Sequence, residues 1–232
     1  MADKKVLGRM INPSLHEIYL GYVNVFLMVA SDGSLILVDG GMPKNQDKII
    51  RYINSIGKTV SDLKYILITH SHLDHFGSVY DLKKLTNAKV AINNEGIKYV
   101  DGSAGLRMPK ARGAKGKLMI VALNLFKNFM KPKFFKPEMV LKEGAFPKEF
   151  NLNARIIETP GHTNDSISIY MEDSKTLICG DLFDGKSGGL NLPNFFEDYI
   201  SWLNSAKKIK ELNPDLVCVS HGKNYSASEI KV

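Results

Sequence analysis

Apolar positions change their period several times along this chain, and each change marks an element. From His16 to Ala30, "HEIYLGYVNVFLMVA" is rich in β-branched and aromatic residues, "SDGS" is a turn and "LILVDGG" is a second run ending in glycines. That pattern predicts a hairpin. Ile49, Ile50, Tyr52, Ile53 and Ile56 then recur at three- and four-residue spacing before Gly57, which predicts an amphipathic helix with a glycine stop. "LKYILIT" reads as a short buried strand, "SVYDLKKL" as a short helix and "AKVAIN" as another strand. In the second half "MVLKEG", "ARIIETP", "SISIYMED" and "KTLICGD" read as strands, "FEDYISWLNSAKKIKEL" as a helix and "DLVCVSHG" as a last strand. No internal repeat interrupts the series. Strand runs in both halves with helices following them predict an α+β or layered α/β architecture, with sheet in the middle and helices outside.

Residues 102–137 break the pattern. Leu118 to Met130 is apolar nearly all round, interrupted by Asn124 and Asn128 and flanked by Gly-, Pro- and Lys-rich stretches, so it reads as one helix between hinges. The segment holds nine basic residues and no acid, against a net charge of +7 for the chain, so everything outside it carries −2. Basicity therefore belongs to an insertion within one domain of 232 residues. Three roles suit such an insertion: a lid or pocket wall admitting an apolar substrate with an anionic end, a plain surface loop, or a contact for RNA or a membrane surface.

The 44% hydrophobic and 24% charged fractions are those of ordinary globular proteins, and no apolar run reaches the ~18 residues that span a bilayer. "MADKKVLGRMINPSL" lacks the apolar core of a secretion signal, and Cys179 and Cys218 sit in strand-like runs rather than in a paired motif. A cytoplasmic protein with buried thiols is the expectation.

The chemistry concentrates elsewhere. "THSHLDH" places His70, His72, Asp74 and His75 directly after a buried strand, using three of only 6 histidines. Alternation along an extended chain lets His70 and His72 converge on one point while Ser71 points away; Asp74 and His75 come where the chain turns into a helix. His162 in "TPGHT", Asp181 in "CGD" and His221 in "SHG" also follow strand runs, beside glycines. A single histidine in such a place is as well read as a turn residue. Four titratable groups clustered after a buried strand have no packing purpose, whereas imidazoles and carboxylates at ~2.0–2.2 Å suit Zn²⁺ or a similar cation. His16 has no such partner and is read as ordinary core or surface.

Taken together, "THSHLDH", "TPGHT", "GD" and "SHG", with the opening "NVFLMVASDGSLILVDGG", resemble the motif set of the metallo-β-lactamase superfamily from about Tyr22 to Gly222. The resemblance implies an αββα sandwich of two mixed sheets face to face. It implies two divalent cations at one edge, zinc first, with iron or manganese as alternatives. His70, His72 and His162 would hold one, Asp74, His75 and His221 the other, and Asp181 would bridge them. Asp39 and Thr69 would support the ligands from behind.

The expected activity is hydrolysis by a metal-held hydroxide, oriented by Asp74, of an ester, thioester, lactone or related bond in a small substrate. Asp181 stands where the best-known β-lactamases of the family carry cysteine, and His72 where its flavodiiron branch carries glutamate. The resemblance therefore points to the glyoxalase II, lactonase and general hydrolase branches. A phosphodiester- or RNA-acting enzyme and a mononuclear iron oxidoreductase of sulfur compounds are the alternatives. Lys186 and Tyr225 follow ligand positions closely and are expected to line the pocket; Phe195 and Phe196 are expected to cap the core face of the last helix.

Overall fold

The computed structural model describes residues 7–110, 132–186 and 188–231. One sheet runs in chain order through β1 (Gly8–Asn12), β2 (Leu15–Tyr19), β3 (Asn24–Val29), β4 (Leu35–Val38), β5 (Leu63–Ile68), β6 (Lys89–Asn93) and β7 (Met139–Leu141). The other has the order β12 (Leu216–Cys218), β11 (Thr176–Ile178), β10 (Ile167–Met171), β9 (Ala154–Glu158) and β8 (Gly144–Ala145). Both are mixed. Short connections pair β1 to β4 antiparallel, while β4 to β7 pair parallel. The parallel connections carry α1 (Gln46–Ser55), then α2 (Leu73–Phe76) and α3 (Val79–Thr86), then α4 (Ile97–Val100), because parallel neighbours need a crossover. In the second sheet only β11 and β12 are parallel, joined through α5 (Tyr199–Leu212).

Strand alternation sorts the apolar side chains into three layers. Val25, Leu27, Leu37, Ile66, Ile68 and Val90 face α1, α2 and α3, meeting Ile49, Ile53, Phe76 and Leu82. Phe26, Met28, Ile36, Val38 and Leu67 face the other way and meet Ile156, Ile167, Ile169, Ile178 and Cys218 between the sheets. Ile157, Leu177, Cys179, Val217 and Val219 cover the far side with Trp202, Ala206 and Ile209 of α5. The result is the αββα sandwich. Cys179 and Cys218 fall in different layers, and both are free and buried.

The structure departs from the expected elements in a few places. The run from His16 to Ala30 is two strands, because Gly21 adopts φ +109, a conformation no strand interior keeps. "MVLKEG" supplies β7 to one sheet and β8 to the other, so the chain changes sheets there. The last helix begins later than its apolar pattern, since the Asp198 carboxylate accepts from Ser201 N–H at 2.7 Å and caps it. The helix expected over Leu118 to Met130 lies outside the described residues. No helix among the described residues is long and apolar enough to cross a membrane.

Candidate metal centre

Four strand ends deliver the titratable groups to one edge of the sandwich. Thr69 to His72 follow β5; His72 keeps an extended backbone (φ −79, ψ 149) as the cap of α2, whose first turn carries Asp74 and His75. His162 follows β9, Asp181 follows β11 and His221 follows β12. His70, His72, His75, His162 and His221 are all buried.

Three ring nitrogens meet at one point. His72 Nδ1 lies 3.1 Å from His70 Nε2 and 2.9 Å from His162 Nε2. Their outer partners decide which nitrogens carry protons. Thr69 Oγ1 donates to Asp39 Oδ2 at 2.8 Å, so at 3.1 Å it accepts from His70 Nδ1. His162 Nδ1 donates to the Phe195 carbonyl at 2.6 Å. Both rings therefore turn an unprotonated Nε2 inward, and one proton on His72 Nδ1 cannot satisfy both. Burial first, then the neighbouring rings His75 and His162 respectively, hold His70 and His72 well below the ordinary imidazole value; burial also lowers His162. Three converging lone pairs that resist protonation suit a cation.

The second group is built on carboxylates. His221 Nε2 lies 3.3 Å from Asp74 Oδ2 and 3.4 Å from Asp181 Oδ2, and its Nδ1 is held 3.1 Å from the Tyr22 carbonyl. His75 Nδ1 donates to Asp39 Oδ2 at 2.8 Å, which turns His75 Nε2 toward Asp181 Oδ1, 3.5 Å away. His75 Nε2 and Asp181 Oδ1 are buried and have no hydrogen-bond partner among the described residues. Unpartnered buried donor atoms of this kind suit the ligands of a cation. Burial opposes charge on His221, but Asp181 and Asp74 outweigh it and push the ring up to about 10. His75 is likewise raised against burial by Asp39, Asp181 and Asp74. Asp74 and Asp181 are held below the usual carboxylate range because nearby His75 and His221 overcome burial. Asp181 Oδ2 is also 3.5 Å from His162 Nε2 and 4.0 Å from His70 Nε2, so this one carboxylate touches both groups. Among the described residues, His70, His72 and His162 can hold one ion, and Asp74, His75 and His221 another; His70, His75 and Asp181 form a third cluster between them.

The glycines beside the ligands make the approach sterically feasible. Gly161 has φ +137, and a Cβ there would stand 2.3 Å from Trp202 Cα, where the first turns of α5 pack. Gly161→Ala is expected to cost about 2–4 kcal/mol from overpacking and backbone strain, read as a lowered urea midpoint.

His72, Asp74, His162, Asp181 and His221 open into a cavity of about 490 Å³. Its walls are largely apolar, with Tyr22, Met42, Leu73, Leu106, Met108 and Phe195 among them, and Lys186 and Asp184 lie on the same lining. Lys186 thus borders the cavity. Tyr225 does not: its backbone exchanges two bonds with Val217 and its ring packs into the layer under α5, so the turn after His221 carries it inward. Phe196 is buried against the α5 side, but Phe195 lines the cavity and its carbonyl orients His162. Sequence reasoning missed Tyr22 and Arg107. Arg107 belongs to the basic segment yet is only 6% exposed. Lys133 of that segment is paired with Asp81 at 2.7 Å.

A model of the metallo-β-lactamase superfamily matches residues 18–221. The protein YobT of Bacillus subtilis (strain 168) is 30% identical over 215 residues, 87% of this chain and 83% of that one. Hydroxyacylglutathione hydrolase GloC of Haemophilus influenzae is 29% identical over 178 residues, 76% of each chain. For the first relatives the aligned part spans from 60% to 83% of their own length. In fold, BJP-1, a subclass B3 metallo-β-lactamase of Bradyrhizobium japonicum, superposes with a TM-score of 0.69 at 22% identity, covering 93% of this chain and 77% of that one. The matched residues run from β2 to His221 and include all seven converging side chains, so the chain belongs to the metallo-β-lactamase superfamily.

Proposed function

We propose that this chain is a metal-dependent hydrolase that cleaves an ester, thioester or lactone bond in a small substrate. The observation that carries the reading is the meeting of two ligand-capable groups through Asp181 at the base of an apolar-walled cavity. In this reading His70, His72 and His162 would hold one divalent cation and Asp74, His75 and His221 a second, with Asp181 available to both; zinc is the preferred ion, since nitrogen and carboxylate donors suit it. Similarity to GloC, named a hydroxyacylglutathione hydrolase, favours a thioester or oxygen ester over an amide.

Cations bound there would supply Lewis acidity, bringing the pKa of water down to about 7 and polarising the carbonyl oxygen of the bond under attack. The chain's own residues do the rest. Asp74, held ionised and facing the cavity, accepts a hydrogen bond from the attacking water and so orients it. The water oxygen joins the carbonyl carbon, the C–S or C–O bond breaks, and the proton passes to the leaving sulfur or oxygen. Tyr22, Met42 and Phe195 exclude water and pack an apolar acyl part, and Lys186 meets an anionic end of the substrate. Free buried thiols at Cys179 and Cys218 support a cytoplasmic, reducing setting, and residues 102–137 are read as an insertion within one domain.

A panel of thioesters, oxygen esters, lactones and phosphodiesters tests the reading. Turnover of at least one carbonyl substrate is expected, lost on chelation and restored by Zn²⁺; turnover confined to phosphodiesters contradicts the bond class. Chelation is also expected to lower Tm by roughly 5–10 °C, since a ligand at ~100 times its Kd adds ~2.7 kcal/mol to a fold of this size. An unchanged Tm on verified metal loss would argue against a cation bound to the folded state.

A further inference from the structure

Arg107 opens the basic segment, yet its guanidinium faces inward. Nε donates to Glu197 Oε1 at 3.0 Å. Nη1 donates to Ser71 Oγ at 3.1 Å and to Asp165 Oδ1 at 2.6 Å. Nη2 donates to Asn164 Oδ1 and to Glu197 Oε2, each at 2.6 Å. A guanidinium has five N–H groups, and here each has an acceptor. The Tyr99 ring covers one face, 4.6 Å from Cζ.

Those acceptors belong to three segments that build the three-histidine group. Ser71 sits between His70 and His72, turned to the opposite side as alternation requires. Asn164 and Asp165 follow His162. Glu197 follows Phe195, the acceptor for His162 Nδ1, and Glu197 N–H donates to the carbonyls of Gly161 at 2.8 Å and His162 at 3.1 Å. The loops carrying Asp181 and His221 receive none of the five bonds.

We propose that Arg107 is a positioning residue for the three-histidine group. Its fork fixes the separation of the segments bearing His70, His72 and His162, and so sets the affinity of that group for a divalent cation, while the group of Asp74, His75 and His221 is independent of it. The inference rests on the metal-binding reading above. A consequence is that the basic segment is tied at Arg107 to the ligand loops. Lysine cannot replace this arginine: an ammonium offers three donors from one atom and cannot reach acceptors spread across a planar fork.

The test compares wild type with Arg107→Lys, which keeps the charge, and with Arg107→Met combined with Asp165→Asn, which removes it without leaving the buried Asp165 carboxylate unbalanced. Each protein is stripped of metal, checked for folding by circular dichroism and titrated calorimetrically with Zn²⁺ and Co²⁺. In both variants the affinity for one cation is expected to fall roughly 10- to 100-fold, the effect of losing an outer-shell partner, and that for the other to stay within roughly threefold. Adding His162→Ala to wild type and variants identifies the group: with His162 gone, the Arg107 substitutions should have no further effect on the remaining cation. Two folded variants that bind both cations as wild type does would overturn the proposal, as would an equal loss in the His162→Ala background. If the Arg107 variants do not fold, Ser71→Ala, which removes a single acceptor, decides: a loss of roughly threefold or more supports the proposal and an unchanged affinity overturns it. Wild type that binds no cation overturns the functional reading instead, a separate outcome.

Discussion

Asp74→Ala is expected to lower kcat/KM on any substrate the wild type cleaves by roughly 10²-fold or more, the loss that misplacing a reactant alone can cause. Two roles fall together in this side chain. Its Oδ2 lies 3.3 Å from His221 Nε2 and 3.8 Å from His75 Nε2, so its removal leaves that group with two imidazoles and only the shared carboxylate of Asp181. It also faces the cavity as the carboxylate free of the bridging position that Asp181 takes. Alanine should reduce metal content at the Asp74 group and spare the three-histidine group, whose nitrogens it does not touch. The fold should survive, because the Asp74 side chain is 20% exposed and water can reach the groups it leaves behind. Full turnover with full metal content in Asp74→Ala would remove the carboxylate from the mechanism.

Asp39→Ala is expected to destabilise the metal-stripped protein by roughly 3–5 kcal/mol, because buried donors lose their acceptor at a strained backbone position. Asp39 is 1% exposed and accepts from Thr69 N–H, Thr69 Oγ1 and His75 Nδ1, each at 2.8 Å. Its backbone is left-handed, φ +66, where alanine is strained and asparagine is tolerated. Asp39→Asn keeps one acceptor oxygen and the conformation, so it should cost roughly half as much. Urea unfolding gives the order directly. If Asp39→Ala unfolds within about 1 kcal/mol of wild type, the donors must find other acceptors. Asp39→Ala should also weaken cation binding at the group containing His75 by roughly 10- to 100-fold, since the ring loses the partner that fixes its tautomer.

How far this site can be read from the chain depends on the range of each signal. His70, His72, Asp74 and His75 are legible because they cluster within six positions after a buried strand, and the strand's alternation sets which side chains converge. His162, Asp181 and His221 are legible through their place at strand ends beside glycine. The three apolar layers follow from the same alternation. β1 was hidden because "GRMIN" is a half-exposed edge strand without an apolar alternation. Arg107 was hidden for a different reason: its partners lie 36, 57, 58 and 90 positions away, so it reads as one more charge in a basic run. Its flanking Leu106 and Met108, both on the cavity wall, are the local hint that this stretch turns inward. Tyr225 shows the converse error, since proximity in sequence to His221 placed it at a cavity from which its pairing with Val217 removes it.

Metal content tests the central claim most directly. The chain is stripped with a chelator, offered Zn²⁺, dialysed against metal-free buffer and analysed for bound metal per folded chain. The account predicts two equivalents in wild type and one in His162→Ala, which loses only the three-histidine group. A folded wild type that retains none contradicts it.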